Sequence, residues 1–387
     1  MRKTAKIVLI TFNLLAAISL IVGCYGAYVN NGDYWFTGLF NLASFYLLLI
    51  NLAFIVFWLF VKFYLFSISL FSIIICWMPL QHVFQFRMEP PFQYEKPVNS
   101  LRVMSWNVEM FHIKKHKKHP ETQYKMFQLI NEMQPDVACF QEMAAADSMQ
   151  KGVINYIPYF SKKMKMPYYH YSYISHLDFD KLHHFGKVIF SRYPIIAQKT
   201  IYPEPNVYNS AFQYVDIVKG KDTIRIFNFH LQSMRFSPKN KEFLYSDNIE
   251  GKNNLEETRN IVGKLKRAFM KRHWQSDQIG RYIEKSPYPV IVCGDFNDVP
   301  NSYAYNTIGN NLKNTFREKG YGLCNSFSNI SPTLRIDNIF VDQRFAVQQF
   351  VRIKKKLSDH YPIVTDVELE YTLFPYTTLF RDRKSVV

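Results

Sequence analysis

The segment Pro289-Val-Ile-Val-Cys-Gly-Asp295-Phe-Asn297-Asp298 reads as a short buried strand that stops at a glycine and then presents two carboxylates and an amide. Farther on, Ser358-Asp359-His360-Tyr-Pro362 sets a carboxylate beside an imidazole just ahead of another apolar run. Acid, amide and imidazole groups gathered at strand ends are what metal-assisted phosphoester hydrolysis needs. A phosphodiester resists attack because its anionic oxygens repel nucleophiles, and its transition state concentrates more charge. A cation held by hard oxygen ligands offsets that charge and leaves positions open for substrate. The chain therefore reads as an enzyme.

Four more polar groups sit at or within strand runs: Asn107 after Leu101-Arg-Val-Met-Ser-Trp, Glu142 after Asp136-Val-Ala-Cys-Phe140-Gln, His230 in Asn228-Phe-His230-Leu, and Asp337 in Arg335-Ile-Asp337. Taken singly, Asn107 could cap a turn, Glu142 could open a solvated loop and His230 could be a satisfied core histidine. Asp337 resists such a reading, because a carboxylate inside an apolar strand needs a partner. Together with Asp295, Asn297, Asp359 and His360 they form a set.

The elements that must position this set follow from periodicity. Strands are expected at Leu101–Val108, Asp136–Phe140, Lys187–Phe190, Phe212–Val218, Thr223–Phe229, Val290–Cys293, Arg335–Val341 and Ile363–Leu369. Lys219-Gly220-Lys221-Asp222 makes a hairpin turn between the fourth and fifth of these. Residues 121–134 carry a helical pattern with Tyr124, Phe127, Ile130 and Met133 on one face. A long helix is expected over Leu255–Ile283, with Ile261, Val262, Leu265, Ala268 and Phe269 inward. Lys264, Lys266, Arg267, Lys271 and Arg272 would then form a solvated basic face or a membrane-surface face. Mixed strands, few helices and polar groups at strand ends fit two packed sheets with helices outside.

In their order along the chain these motifs resemble the endonuclease/exonuclease/phosphatase superfamily, over roughly Leu101 to Leu369. The markers are Ser105-Trp-Asn107, Gln141-Glu142, Asn228-Phe-His230-Leu, Gly294-Asp295-Phe-Asn297, Arg335-Ile-Asp337 and Ser358-Asp359-His360. The resemblance implies a four-layered α/β sandwich with its site at one end of the two sheets. It also implies Mg²⁺, or Mn²⁺, bound by Glu142 with Asn107, and Asp359 in the metal site or behind it. Glu109 is a further ligand or supporting candidate. His360 would orient or deprotonate the attacking water while Asp337 holds its imidazole. Asp295 and Asn297 would position the nucleophile and stabilise the transition state, and His230 would hydrogen-bond a phosphate oxygen. Arg192 and Ser233 are weaker phosphate contacts, each equally readable as a strand-end surface residue. A non-catalytic binding protein on the same fold is the reading that the intact set argues against. A serine hydrolase lacks its Gly-x-Ser-x-Gly elbow.

Residues 1–86 are almost purely apolar and aromatic. Ile7–Val29, Tyr34–Val61 and Phe63–Leu80 are expected as three membrane helices, each near the ~20 residues a bilayer demands. A cleaved leader is the rival reading for the first span, and the two that follow directly argue against it. Arg2, Lys3 and Lys6 favour a cytoplasmic N-terminus, which after three crossings puts the rest outside. Pro90, Pro91 and Pro97 mark residues 87–100 as an extended linker to a catalytic domain over 101–371. The segment 372–387 resembles translated adaptor sequence and is expected to be foreign and unstructured.

The formal net charge of +16 suits a polyanionic partner, nucleic acid or anionic lipid headgroups such as phospholipid or inositol phosphate, or simply a soluble basic surface. The Lys- and His-rich stretch His112–His119 could meet a polyanion or be a solvated loop. Tyr168–Tyr173 could stack on bases or pack as a strand. Of the five cysteines, Cys24 and Cys76 fall in membrane spans and Cys139 and Cys293 in apolar strands, so no disulfide or metal framework is expected. No protein partner can be inferred.

Overall fold

The computed structural model describes residues 3–29, 32–115, 120–146, 154–173, 183–204, 211–234, 236–245 and 253–370. The 372–387 segment and the second half of the His112–His119 stretch, residues 116–119, lie outside them.

Two N-terminal helices, α1 (Lys3–Tyr25) and α2 (Thr37–Val61), are long and apolar enough to cross a membrane. They run antiparallel: Asn41 Nδ2 donates to Gly23 O at 2.8 Å, and Asn51 Nδ2 to Ala16 O at 3.1 Å. The third expected span is broken instead. Helix α3 (Phe66–Ile75) meets α4 (Trp77–Val83) at 66°. The break falls at Cys76, just ahead of Pro79, whose ring fits the first turn of a new helix but not the interior of a continuous one. Small polar side chains tie this bundle together; Ser69 Oγ donates to Asn13 Oδ1 at 2.6 Å.

The chain after residue 100 forms two six-stranded mixed sheets. The first orders β11 (Phe345–Arg352), β12 (Ile363–Leu369), β1 (Leu101–Asn107), β2 (Val137–Ala145), β4 (His184–Ser191) and β3 (Tyr168–Tyr173). The second orders β5 (Ile195–Ile201), β6 (Phe212–Lys219), β7 (Asp222–His230), β8 (Val290–Asp295), β10 (Asp337–Asp342) and β9 (Leu312–Asn314). Side chains alternate across each strand. Leu101 and Val103 of β1 meet Ile291 and Cys293 of β8 between the sheets. Met104 and Trp106 face outward onto α5 (Pro120–Met133). On the other side, Val292 and Phe340 lie under α7 (Asn253–Glu284) and α8 (Tyr303–Ile308). Helix α6 (Pro238–Tyr245) and α9 (Thr315–Lys319) complete the set. Burial on both faces is why the central strands read as unbroken apolar runs. The expected four-layered α/β sandwich is the fold, and Cys139 and Cys293 are small hydrophobes of its inter-sheet layer.

Two expected helix faces need correction. On α5 the buried residues are Gln123, Met126, Leu129, Ile130 and Met133, with Phe127 half-buried against them, while Tyr124 is exposed. On α7, Arg272 is not solvated; it is buried, with its Nε 2.9 Å from Asp298 Oδ2. The strand expected from Arg335 begins at Asp337. Arg335 is buried and turns toward α4, donating to the backbone oxygens of His82 and Val83.

Candidate active site

Strand register alone assembles half the site. In the parallel pair β7–β8, His230 stands opposite Asp295, and in the antiparallel pair β8–β10, Asp295 stands opposite Asp337. All three share the parity of residues that point between the sheets, so they form the next layer beyond the last apolar one. Beneath them, Gln141 Nε2 donates to Asn228 Oδ1 at 2.8 Å, an amide link across the two sheets. Gly294 has no room for a side chain, since a Cβ there would lie 2.7 Å from the Phe229 ring and 2.8 Å from its carbonyl oxygen.

The first sheet supplies the rest. Asn107 ends β1 opposite Gln141, and parity would send the next residue, Glu142, out toward the helices. A bulge in the β2–β4 ladder between Phe140 and Met143 prevents this, with Glu142 at a left-handed φ of 53°. The irregularity turns the carboxylate into the cleft. The loop before β12 is sewn to β1 by two bonds and braced by a third within itself. Ser358 Oγ donates to Asn107 O at 2.9 Å, Trp106 Nε1 to His360 O at 2.9 Å, and His360 N to Ser358 Oγ at 3.2 Å.

All eight expected site residues are thereby brought to one end of the sandwich. His360 Nδ1 lies 2.8 Å from Asp337 Oδ2, and His360 Nε2 lies 3.7 Å from Asp295 Oδ2. His230 Nε2 lies 3.3 Å from Asp295 Oδ2 and 3.8 Å from Glu142 Oε1. Asn107 Nδ2 donates to Asp295 Oδ2 at 3.1 Å, and Asn297 N to Asp295 Oδ1 at 2.8 Å. Glu142, Asp295, Asn297, Asp359 and His360 line one cavity of about 240 Å³, and Ser233 is on its wall. Arg192 is elsewhere, donating to Pro135 O and Gln134 Oε1, so its reading as a phosphate contact is corrected. Tyr168–Tyr173 is the edge strand β3, where Tyr171 donates to Met143 O and His184 O. His112 Nε2 lies 2.7 Å from Leu357 O and 3.7 Å from Glu109 Oε2.

The two histidines are driven apart in charge. Burial alone would lower the pKa of His360, but Asp337 and Asp295 outweigh it and hold the imidazole well above its ordinary range. Burial, then Lys187 and His360, push His230 well below. Desolvation first and Asp337 second raise Asp295 to about 7, against the pull of His360. Glu142 is likewise raised to about 7, by desolvation and then by Asp359.

Lys187 went unnoticed in the sequence. It is buried on β4, and burial lowers it to about 8 while Glu142 pulls it up. Parity was the signal, because Ile189 two residues on points between the sheets and Lys187 must do the same.

Asp295, Asp337 and His360 each offer an atom within 4.8 Å of the others, a spacing a metal could use. The 2.8 Å Asp337–His360 contact already engages His360 Nδ1, which marks that trio as a carboxylate–imidazole pair with Asp295 beside it. Glu142 and Asp359 line the same cavity and could also hold a cation. Two carboxylates repel one another there strongly enough to help raise Glu142, and their donors are hard oxygens. Asn107 adjoins them but directs its amide nitrogen to Asp295, while its oxygen accepts from Glu109 N at 3.2 Å.

The profile of the Endonuclease/Exonuclease/phosphatase family matches residues 104–360, and the chain belongs to that family. A domain of unknown function matches residues 5–83. No curated protein matches the sequence. Among solved structures, an endonuclease/exonuclease/phosphatase of Beutenbergia cavernae is similar at 18% identity and TM-score 0.47, over 70% of this chain and 72% of that one. The human Nocturnin catalytic domain with bound sulfate aligns at 15% identity and TM-score 0.48, over 73% and 100%. A mannosyl-6-phosphatase of Bacteroides thetaiotaomicron aligns at 18% and 0.44, over 69% and 99%.

Proposed function

We propose that this chain is a membrane-anchored, divalent-metal-dependent phosphoester hydrolase acting on phosphodiesters. The observation that carries the reading is the single cleft lined by Glu142, Asp295, Asn297, Asp359 and His360, with His230 against Asp295 and Asp337 against His360 behind its wall. Glu142 and Asp359, with Asn107 adjoining, would hold Mg²⁺ or Mn²⁺. Bound there, such an ion would neutralise phosphoryl charge.

The chain's own groups divide the remaining work. Asp295, raised in pKa and fixed by the Asn297 amide, is placed to take the proton from an attacking water. His360, kept protonated by Asp337, is placed to donate toward the phosphoryl oxygens as charge grows on them. Neutral His230 orients Asp295 and can hydrogen-bond a phosphate oxygen. The resemblance has His360 orient or deprotonate the water; these charge states favour Asp295 as the base.

The same reading divides the chain into a membrane region up to about residue 86, a linker over 87–100 and a catalytic domain from 101. Lys3 and Lys6 begin α1 and Lys62 follows α2, so the cations cluster at the bundle end remote from the sandwich. That supports a cytoplasmic N-terminus and an extracytoplasmic catalytic domain.

The test is hydrolysis of bis-p-nitrophenyl phosphate by the full chain in detergent, with Mg²⁺ or Mn²⁺. Chelation should abolish turnover and re-addition restore it. Turnover that survives exhaustive chelation would overturn metal dependence.

A further inference from the structure

Helix α2 does more than anchor. The 240 Å³ cavity that holds Glu142, Asp295 and His360 is walled by apolar side chains: Met234, Phe236, Phe327, Ile330, Leu334, and Leu42 of α2 itself. We infer that the membrane helix forms part of the substrate cleft, and that the substrate is a lipid phosphoester whose hydrocarbon end lies along Leu42. This rests on the phosphoester-hydrolase reading and narrows its substrate.

Several contacts fix α2 at the cleft mouth. Thr37, Gly38, Asn41 and Ser44 are buried in its first turns. A Cβ on Gly38 would lie 2.9 Å from the Phe269 ring of α7, so the two helices approach as closely as glycine permits. Asn41 Nδ2 donates to Asn301 O at 2.9 Å, four residues past Asn297. Tyr46 Oη and Ser331 Oγ lie 2.8 Å apart, pinning the loop that carries Phe327 and Ile330.

The heights agree as well. From Leu42 to Val61 the helix rises about 28 Å at ~1.5 Å per residue, close to the ~30 Å hydrocarbon thickness of a bilayer. The cleft therefore opens where headgroups end and acyl chains begin. A lipid phosphate can reach Glu142 and His360 while its chains stay against α2. Single-stranded DNA is the rival occupant, because Phe236 and Phe327 are among the wall residues and Lys264, Arg267 and Lys271 line a neighbouring hollow that shares Ser233 and Met234; the apolar contact with a membrane helix at Leu42 favours the lipid.

The experiment reconstitutes the full chain in phosphatidylcholine vesicles. It compares a long-chain lipid phosphodiester and a phosphomonoester with their water-soluble short-chain counterparts, with single-stranded DNA, and with bis-p-nitrophenyl phosphate. We expect long-chain lipid to exceed its short-chain counterpart in kcat/KM. In Leu42→Glu the long-chain to short-chain ratio should fall about tenfold, ~1.4 kcal/mol. Leu42→Gln should lower it in the same direction, which covers poor insertion of the glutamate variant. Equal rates on both chain lengths, an unchanged ratio in both variants, or preference for DNA would overturn the inference. Failure on the aryl phosphodiester as well would instead sink the hydrolase reading beneath it.

Discussion

Arg272 offers a thermodynamic test that leaves the catalytic groups alone. Its guanidinium and the Asp298 carboxylate are almost wholly buried, 2.9 Å apart, and Arg272 Nη1 also donates to Gln232 O at 3.0 Å. Arg272→Met would take the guanidinium from a buried carboxylate and leave it the Val299 amide. Breaking a buried pair from one side costs about 3–5 kcal/mol. At roughly 2–4 °C per kcal/mol for a domain of this scale, the melting temperature should drop by ~10 °C. Burial already raises the Asp298 pKa above its ordinary value, with Arg272 opposing the rise. Without Arg272 the rise is larger, so the ionised form becomes the costly one. The deficit is then fully present above the folded-state pKa and shrinks as pH falls toward the unfolded value. Thermal melts near neutral pH and at about pH 5 read this directly. Arg272→Met with Asp298→Asn should recover much of the loss. Equal destabilisation at both pH values, with no recovery in the double variant, would refute the buried-charge account.

His360→Ala should lower kcat by about 10²–10⁴-fold with an unchanged near-ultraviolet circular dichroism spectrum. A normal rate would remove His360 from the mechanism. Lys187→Met removes a cation that sits near Glu142, so the Mg²⁺ concentration for half-maximal activity should fall; a rise would show that Lys187 helps build the site. Gly38→Val should separate α2 from Phe269 at a cost of about 1–3 kcal/mol, seen as faster amide exchange in the first turns of α2. Unchanged exchange would mean the helix contact is looser than described.

Much of the site was legible because it obeys local rules. Strands β1, β7 and β8 are apolar runs that end in Asn107, His230 and Asp295, and a period of two carries those residues to one end of the sandwich; Glu142 joins them only through the bulge in β2, which no local rule announces. Other features depend on partners far along the chain. Nothing near Arg272 announces Asp298, and a basic residue on an amphipathic helix defaults to solvent. Edge strands such as β5 were missed because Ile195-Ile-Ala-Gln-Lys-Thr-Ile is exposed along most of its length and lacks a clean alternation. The α5 face shifted because Tyr124 looks apolar by type, whereas Met126 and Leu129 fill the space over Phe140 and Trp106. The kink at Cys76 replaced a straight third span because Pro79 restarts the helix.

The grip between bundle and sandwich bears on what happens when the chain is cut. Arg335 holds the last carbonyls of α4, Asn301 Nδ2 donates to Pro79 O at 2.9 Å, and Asn41 reaches back to Asn301. None of these bonds runs through residues 87–99. A protease that nicks that exposed stretch would therefore not shed a free enzyme. The severed halves would stay together until something pried them apart.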